Sequence, residues 1–198
     1  PDGAGLDDRS RLGIAVAAVR LPAGEVRFFH GGDEARPAPR MSESECRSLV
    51  AELEKLVGGG HKLVTWNGAA FDFHVLAKES GQPRECASLA TNHVDLMFQL
   101  LCDQGYPVSL AAVGKPLGLS KAAGLKGDVE MTAAVLDALL RDRGLRWVTA
   151  RGKVKRWSSL RPLTVSEAML LPEPDTSWMR SPLRRHDCVG WMLRALPS

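Results

Sequence analysis

No stretch of this chain approaches the ~20 consecutive apolar residues that cross a bilayer, and no signal-peptide pattern is visible. A membrane partner is therefore not expected, and a cytoplasmic location is. Cysteine is sparse and scattered. Cys46, Cys86, Cys102 and Cys188 include no Cys-x-x-Cys pair, which argues against a zinc site and against a disulfide scaffold. Cys46 and Cys102 fall in helical patterns, as core thiols do. No internal repeat is seen. Net charge is only +3, too little to imply non-specific duplex binding. The sequence opens on Pro1-Asp2-Gly3 without a Met, so no gene start is expected there. What is present, 44% hydrophobic and 25% charged residues over 198 positions, is ordinary for a globular chain with one sizeable core.

The order of elements reads as α/β. Leu12 to Leu21 is nearly all apolar, as in a strand covered on both faces. Pro22-Ala23-Gly24 turns it into a partner strand over Glu25 to His30. Gly31 to Arg40, with Pro37 and Pro39, reads as a polar loop. Ser42 and Glu45 then form a capping box, and Cys46, Leu49, Val50, Leu53, Leu56 and Val57 recur on one helical face until Gly58-Gly59-Gly60. Leu63 to Trp66 is a short buried strand, followed by a helix over about Phe71 to Glu79. Further helices are expected over about Val94 to Cys102, Leu110 to Leu117 and Asp128 to Leu140. Trp147 to Ala150 and Val154 to Trp157 form a hairpin about Arg151-Gly152-Lys153. Thr164 caps a short helix to Leu171, and Val189 to Leu196 closes the chain as an apolar segment. Hairpin, helix, strand, then helices implies one dominant sheet.

Chemistry concentrates on Leu63-Val64-Thr65-Trp66-Asn67-Gly68-Ala69-Ala70-Phe71-Asp72. A strand feeding a helix through this turn puts Asn67 and Asp72 at the carboxyl end of the strand, where α/β sheets bind ligands. Gly68 has no Cβ and permits a close approach. Alone, Asp72 could do no more than complement the helix dipole. Asp95 and Asp128 also sit at helix ends. Carboxylates that converge stay ionised when a cation shares the site, and hard oxygen ligands select Mg²⁺ or Mn²⁺.

Val64 to Asp72 resembles the second exonuclease motif of the 3′–5′ exonucleases related to the proofreading domain of family B DNA polymerases. These are DEDD exonucleases of the ribonuclease H-like superfamily. Asn92-His93-Val94-Asp95-Leu96-Met97-Phe98 is similar to that family's following segment. Asp128-Val129-Glu130-Met131-Thr132 looks like its third motif, and Leu171 to Met179 resembles a tail of bacterial members. The resemblance implies a mixed ribonuclease H-like sheet flanked by helices, with residues 1–144 as the exonuclease domain and 145–198 as a small hairpin and helical extension. It makes Asp72 and Asp128 the catalytic, metal-binding carboxylates for Mg²⁺ or Mn²⁺. Asn67 and Phe71 become substrate contacts, although Asn67 could equally cap the turn. Asp95 is not among the family's four carboxylates and reads as structural or peripheral. His74 and His93 read as packed or solvent-facing.

Two family features are missing. The first motif, an Asp-x-Glu ending the sheet's first strand, has only Pro1 to Arg11 upstream, and Gly124 stands where the third motif carries a Tyr or His. The expectation is a chain lacking its first strand and a segment before Asp128. Gly127 and Asp128 would then not be neighbours, and Asp128 would lie near Asp72. Between Arg141 and Arg161 the cations Arg143, Arg146, Arg151, Lys153, Lys155 and Arg156 meet a single acid, Asp142. Trp147 and Trp157 interleave with them, either to stack bases or as core beneath a solvated hairpin. Arg151, Lys153 and Lys155 are the candidate contacts to a single strand. The reading is a metal-dependent 3′–5′ exonuclease of single-stranded nucleic acid, with DNA the expected substrate. Its alternatives are a non-catalytic nucleic-acid-binding module of the same fold and a protein-interaction scaffold.

Overall fold

The structure, a computed structural model, describes residues 13–33, 36–119, 125–149, 151–159 and 161–196. Strands β1 (Val16–Arg20) and β2 (Val26–Asp33) form the expected hairpin, with Val16 opposite His30 and Arg20 opposite Val26. The loop expected over Gly31 to Arg40 instead holds β3 (Arg36–Ala38), antiparallel to the end of β2. Gly31 and Gly32 permit this: a Cβ on Gly31 would come 2.8 Å from the Arg40 carbonyl carbon. The expectation that β1 is covered on both faces fails, since none of its residues is fully buried. It pairs only with β2 among the described residues, and α6 (Leu125–Asp142) packs against it.

Helix α1 (Glu43–Gly58) starts at the predicted capping box, with Ser42 and Glu45 exchanging hydrogen bonds. Cys46, Leu49, Val50 and Leu53 are buried, while Val57 is largely exposed as the helix runs past the core. Strand β4 (Val64–Thr65) pairs in parallel with β5 (Val94–Asp95). Between them lie α2 (Asp72–Ser80) and α3 (Pro83–Asn92). Helix α4 (Leu96–Gln104) follows β5 directly. Then come α5 (Leu110–Gly114) with a 3-10 turn, α6, the hairpin β6 (Gly144–Val148) and β7 (Val154–Ser158), α7 (Val165–Met169) and α8 (Arg185–Ala195). The result is a mixed α/β fold whose described strands form three small sheets.

Two cores meet at α4, which is buried all round, as its continuous apolarity requires. Met97, Phe98, Leu101 and Cys102 face the core built with α1, α2, α3, α7 and α8. Leu96 and Leu100 face the core built with α5, α6 and the β6–β7 hairpin. Gln99, buried on the same helix, donates to Ser159 Oγ and the Arg161 carbonyl at 3.1 Å and accepts from Leu163 N at 3.0 Å. Buried Arg185 donates to the carbonyls of Cys102, Met169, Leu171 and Pro172. Residues on either side of the 144/145 boundary therefore share both cores. That boundary separates stretches of different sequence character, not separately packed units.

The expected break before Asp128 is not found. Gly127 and Asp128 are consecutive residues of one uninterrupted helix, α6. A glycine inside a helix costs about 1 kcal/mol. The buried stripe Met131, Val135, Ala138 and Leu139 outweighs that. The upstream segment Pro1 to Arg11 and Gly124 lie outside the described residues. Among the described residues no ladder joins the β1–β2–β3 sheet to β4–β5.

Candidate active site

The turn between β4 and α2 is clamped by partners distant in sequence. Asn67 adopts φ +73°, a left-handed conformation that Asn tolerates better than most residues. Its carbonyl accepts from Phe71 N at 3.1 Å, and the Gly68 carbonyl accepts from Phe73 N at 3.0 Å, so the turn runs straight into α2. Beneath it lies Asp95, 1% exposed. Its Oδ1 accepts from Asn67 N at 2.9 Å and Phe98 N at 3.0 Å, and its Oδ2 accepts from Ala69 N at 2.9 Å. A carboxylate leaves water only when such donors replace the water it loses. Asp95 thus acts as a structural acceptor whose reach exceeds its own helix cap.

A second clamp runs through Thr65. Burial pushes the His93 imidazole below its ordinary pKa, against the opposing pull of Asp95 and of the Ala90 carbonyl. A neutral ring donates from Nδ1 to the Ala90 carbonyl at 2.6 Å and accepts at Nε2 from the Thr65 hydroxyl at 2.9 Å. Thr65 Oγ1 in turn accepts from Gly68 N at 3.1 Å. Gly68 has to be glycine here, because a Cβ would fall on that hydroxyl and 2.7 Å from Thr65 Cβ. From the far end of the chain, Trp191 donates its indole N–H to the Ala69 carbonyl at 2.8 Å. Nothing local in the sequence signals that contact.

The candidate residues fall into three groups. Asn67, Phe71 and Asp72 share the turn: Asn67 half-buried, Phe71 41% exposed, and Asp72 exposed as the first residue of α2. Asp128 is half-buried in the first turn of α6, and its carbonyl accepts from Thr132 Oγ1 at 2.9 Å. The helices behind Asp72 and Asp128 are rooted in different cores, which meet at Trp66. Among the described residues no three His, Cys, Asp or Glu side chains gather as a metal-binding group. Arg151, Lys153 and Lys155 are exposed on the β6–β7 hairpin. Trp147 and Trp157 are each 2% exposed and belong to the core, so base stacking on them is excluded. Burial raises the pKa of the Cys46, Cys86 and Cys102 thiols, the last two to about 12.

The family model of the RNase H superfamily matches residues 5–132. The chain belongs to the RNase H superfamily. No curated protein and no solved structure matches it. The match takes in the clamped turn, Asp72, Asp95 and Asp128, and it stops short of the basic hairpin. Membership of the RNase H superfamily points to nucleic-acid chemistry, for which divalent metals are the usual cofactor. Among the described residues no helix is long and apolar enough to cross a membrane.

Proposed function

We propose that this RNase H superfamily chain is a divalent-metal-dependent 3′–5′ exonuclease that hydrolyses phosphodiester bonds of single-stranded nucleic acid, DNA before RNA. One observation carries the reading. Exposed Asp72 heads a helix launched from a turn that Asp95, His93 and Trp191 clamp in place. A group held by packed and hydrogen-bonded neighbours is what positioning catalysis needs.

The donor chemistry suits Mg²⁺ or Mn²⁺, since Mg²⁺ commonly takes only one or two carboxylates and completes its shell with water and substrate phosphate. Asp72 and Asp128 would hold the ion. Bound there, it would supply phosphate polarisation and a more acidic water. Phe71, exposed beside Asp72, offers a ring to the terminal base, and Asn67 shapes the turn that aims both. Arg151, Lys153 and Lys155 meet phosphates further along the strand. The rooting of the Asp72 and Asp128 helices in different cores favours a second reading, a nucleic-acid-binding module of the same fold without catalysis.

The test is a 5′-labelled single strand incubated with the chain. Stepwise shortening from the 3′ end that needs Mg²⁺ or Mn²⁺ and stops with EDTA supports the exonuclease. Binding without shortening, with either metal, selects the second reading.

A further inference from the structure

The alternation of the β6–β7 hairpin turns its tryptophans away from its two arginines, while Lys155 stands opposite Trp147. Leu145 pairs with Trp157, and both point into the second core. One residue on, Arg146 stands directly opposite Arg156 on the solvent face, and Val148 opposite Val154 follows. Directly opposed side chains on one face have Cβ atoms roughly 4.5–5.5 Å apart, and like charges so placed are destabilising. Neighbouring cations elsewhere in the stretch have partners. Arg141 pairs with Asp142 at 3.1 Å, and Arg161 with Glu167 at 2.8 Å. Among the described residues, no carboxylate pairs with Arg146 or Arg156, or with Arg151, Lys153 and Lys155 around the hairpin tip.

We infer that the solvent face of β6–β7 is a phosphate-binding surface for single-stranded nucleic acid, centred on the opposed Arg146–Arg156 pair and reading no base. A polyanion relieves the repulsion that the pair builds into the free chain, and the planar guanidinium fork matches phosphate oxygens in two-point contact. Bases find no platform, because both hairpin tryptophans are core. A lipid surface fits poorly for the same reason: interfacial anchoring relies on Trp, Phe or Leu turned outward, and this face offers two valines. The surface lies outside the matched residues 5–132, so superfamily membership does not assign it. The choice of a single strand as ligand rests on the exonuclease reading.

Fluorescence anisotropy of a labelled oligothymidylate, titrated over a range of salt in EDTA, tests the surface without hydrolysis. Arg146→Glu should weaken binding and flatten the slope of log K against log salt by about 0.7 for each phosphate it no longer neutralises. It should not lower the melting temperature, because the new carboxylate faces Arg156. Arg146→Gln should flatten the slope as well. A mixed-sequence strand should bind as tightly as oligothymidylate. Unchanged slopes in both variants overturn the inference, as does binding to phosphatidylserine vesicles in preference to the strand. A chain that never shortens a strand but shows the flattened slope keeps this surface and loses the exonuclease. Shortening that persists with an unchanged slope does the reverse.

Discussion

The turn at residues 64–72 and the hairpin at residues 144–158 are both rich in polar groups, and they treat them in opposite ways. In the turn, polar atoms face inward and find partners: three backbone N–H groups on Asp95, the Thr65 hydroxyl between His93 and Gly68, the Trp191 indole on the Ala69 carbonyl. In the hairpin, the core side carries two tryptophans and a leucine, with exposed Lys155 opposite Trp147, while the other side carries arginines opposed to each other. Satisfied buried groups fix a geometry. Like charges left opposite each other at a surface fix nothing, and are explained better by a ligand than by stability. On the proposed function, the turn aims a reacting group and the hairpin holds a strand.

Substitutions that break one region and spare the other sharpen this contrast. Asp95→Ala should have the largest effect on stability, at least about 3 kcal/mol in denaturant unfolding, because it orphans the buried Ala69 and Phe98 donors and the part-buried Asn67 donor at roughly 1–3 kcal/mol each. A loss below about 1 kcal/mol would mean that the clamp is dispensable. Gly68→Ala should cost about 1–3 kcal/mol through overpacking against Thr65. Thr65→Ala on the same background should recover part of that cost.

The His93 clamp predicts a pH dependence. The folded ring has a lowered pKa, so the unfolded chain binds the proton first as pH falls below about 6.5. Stability is complete above that value and declines on acidification, by at most about 1.4 kcal/mol per pH unit. His93→Gln should remove this decline. Lower on the scale, Arg161 and then the Thr164 cap hold the Glu167 carboxyl at about 2. Its contribution is present above the ordinary carboxylate range and is lost as pH falls towards about 2. The hairpin should behave otherwise: charge reversal at Arg151, Lys153 and Lys155 should leave unfolding within about 0.5 kcal/mol of the parent while flattening the salt slope of single-strand binding. Equal stability loss in both regions would erase the distinction.

Much of this was legible in local sequence. Ser42 with Glu45, Thr164 with Glu167 and Gly81 after α2 mark helix ends by their own chemistry, and the strand-turn-helix around Gly68 follows from its residues. The misses depend on pairing at a distance. β3 and β5 are three and two residues long, too short for periodicity to reveal, and exist because β2 and β4 supply partners. Helix α3 begins at Pro83, a first-turn proline that also reads as a breaker. Gly127 reads as a helix boundary and is carried through α6 by packing. The fate of the tryptophans turns on hairpin register: one residue of slip would have put Trp147 and Trp157 in solvent and the arginines inside. At the candidate site, the turn could be read from sequence, whereas Asp95 and Trp191 act on it from 26 and 122 residues away.

The measurement that bears most directly on the central claim is the pair of assays, cleavage and EDTA binding, run on Asp72→Asn. The two side chains are nearly isosteric, so the fold and the hairpin are unaffected. The account predicts that Mg²⁺-dependent 3′ shortening falls at least about a hundredfold, the scale of losing one charge-stabilising group, while single-strand affinity and its salt slope match the parent. Undiminished shortening in this variant would contradict it.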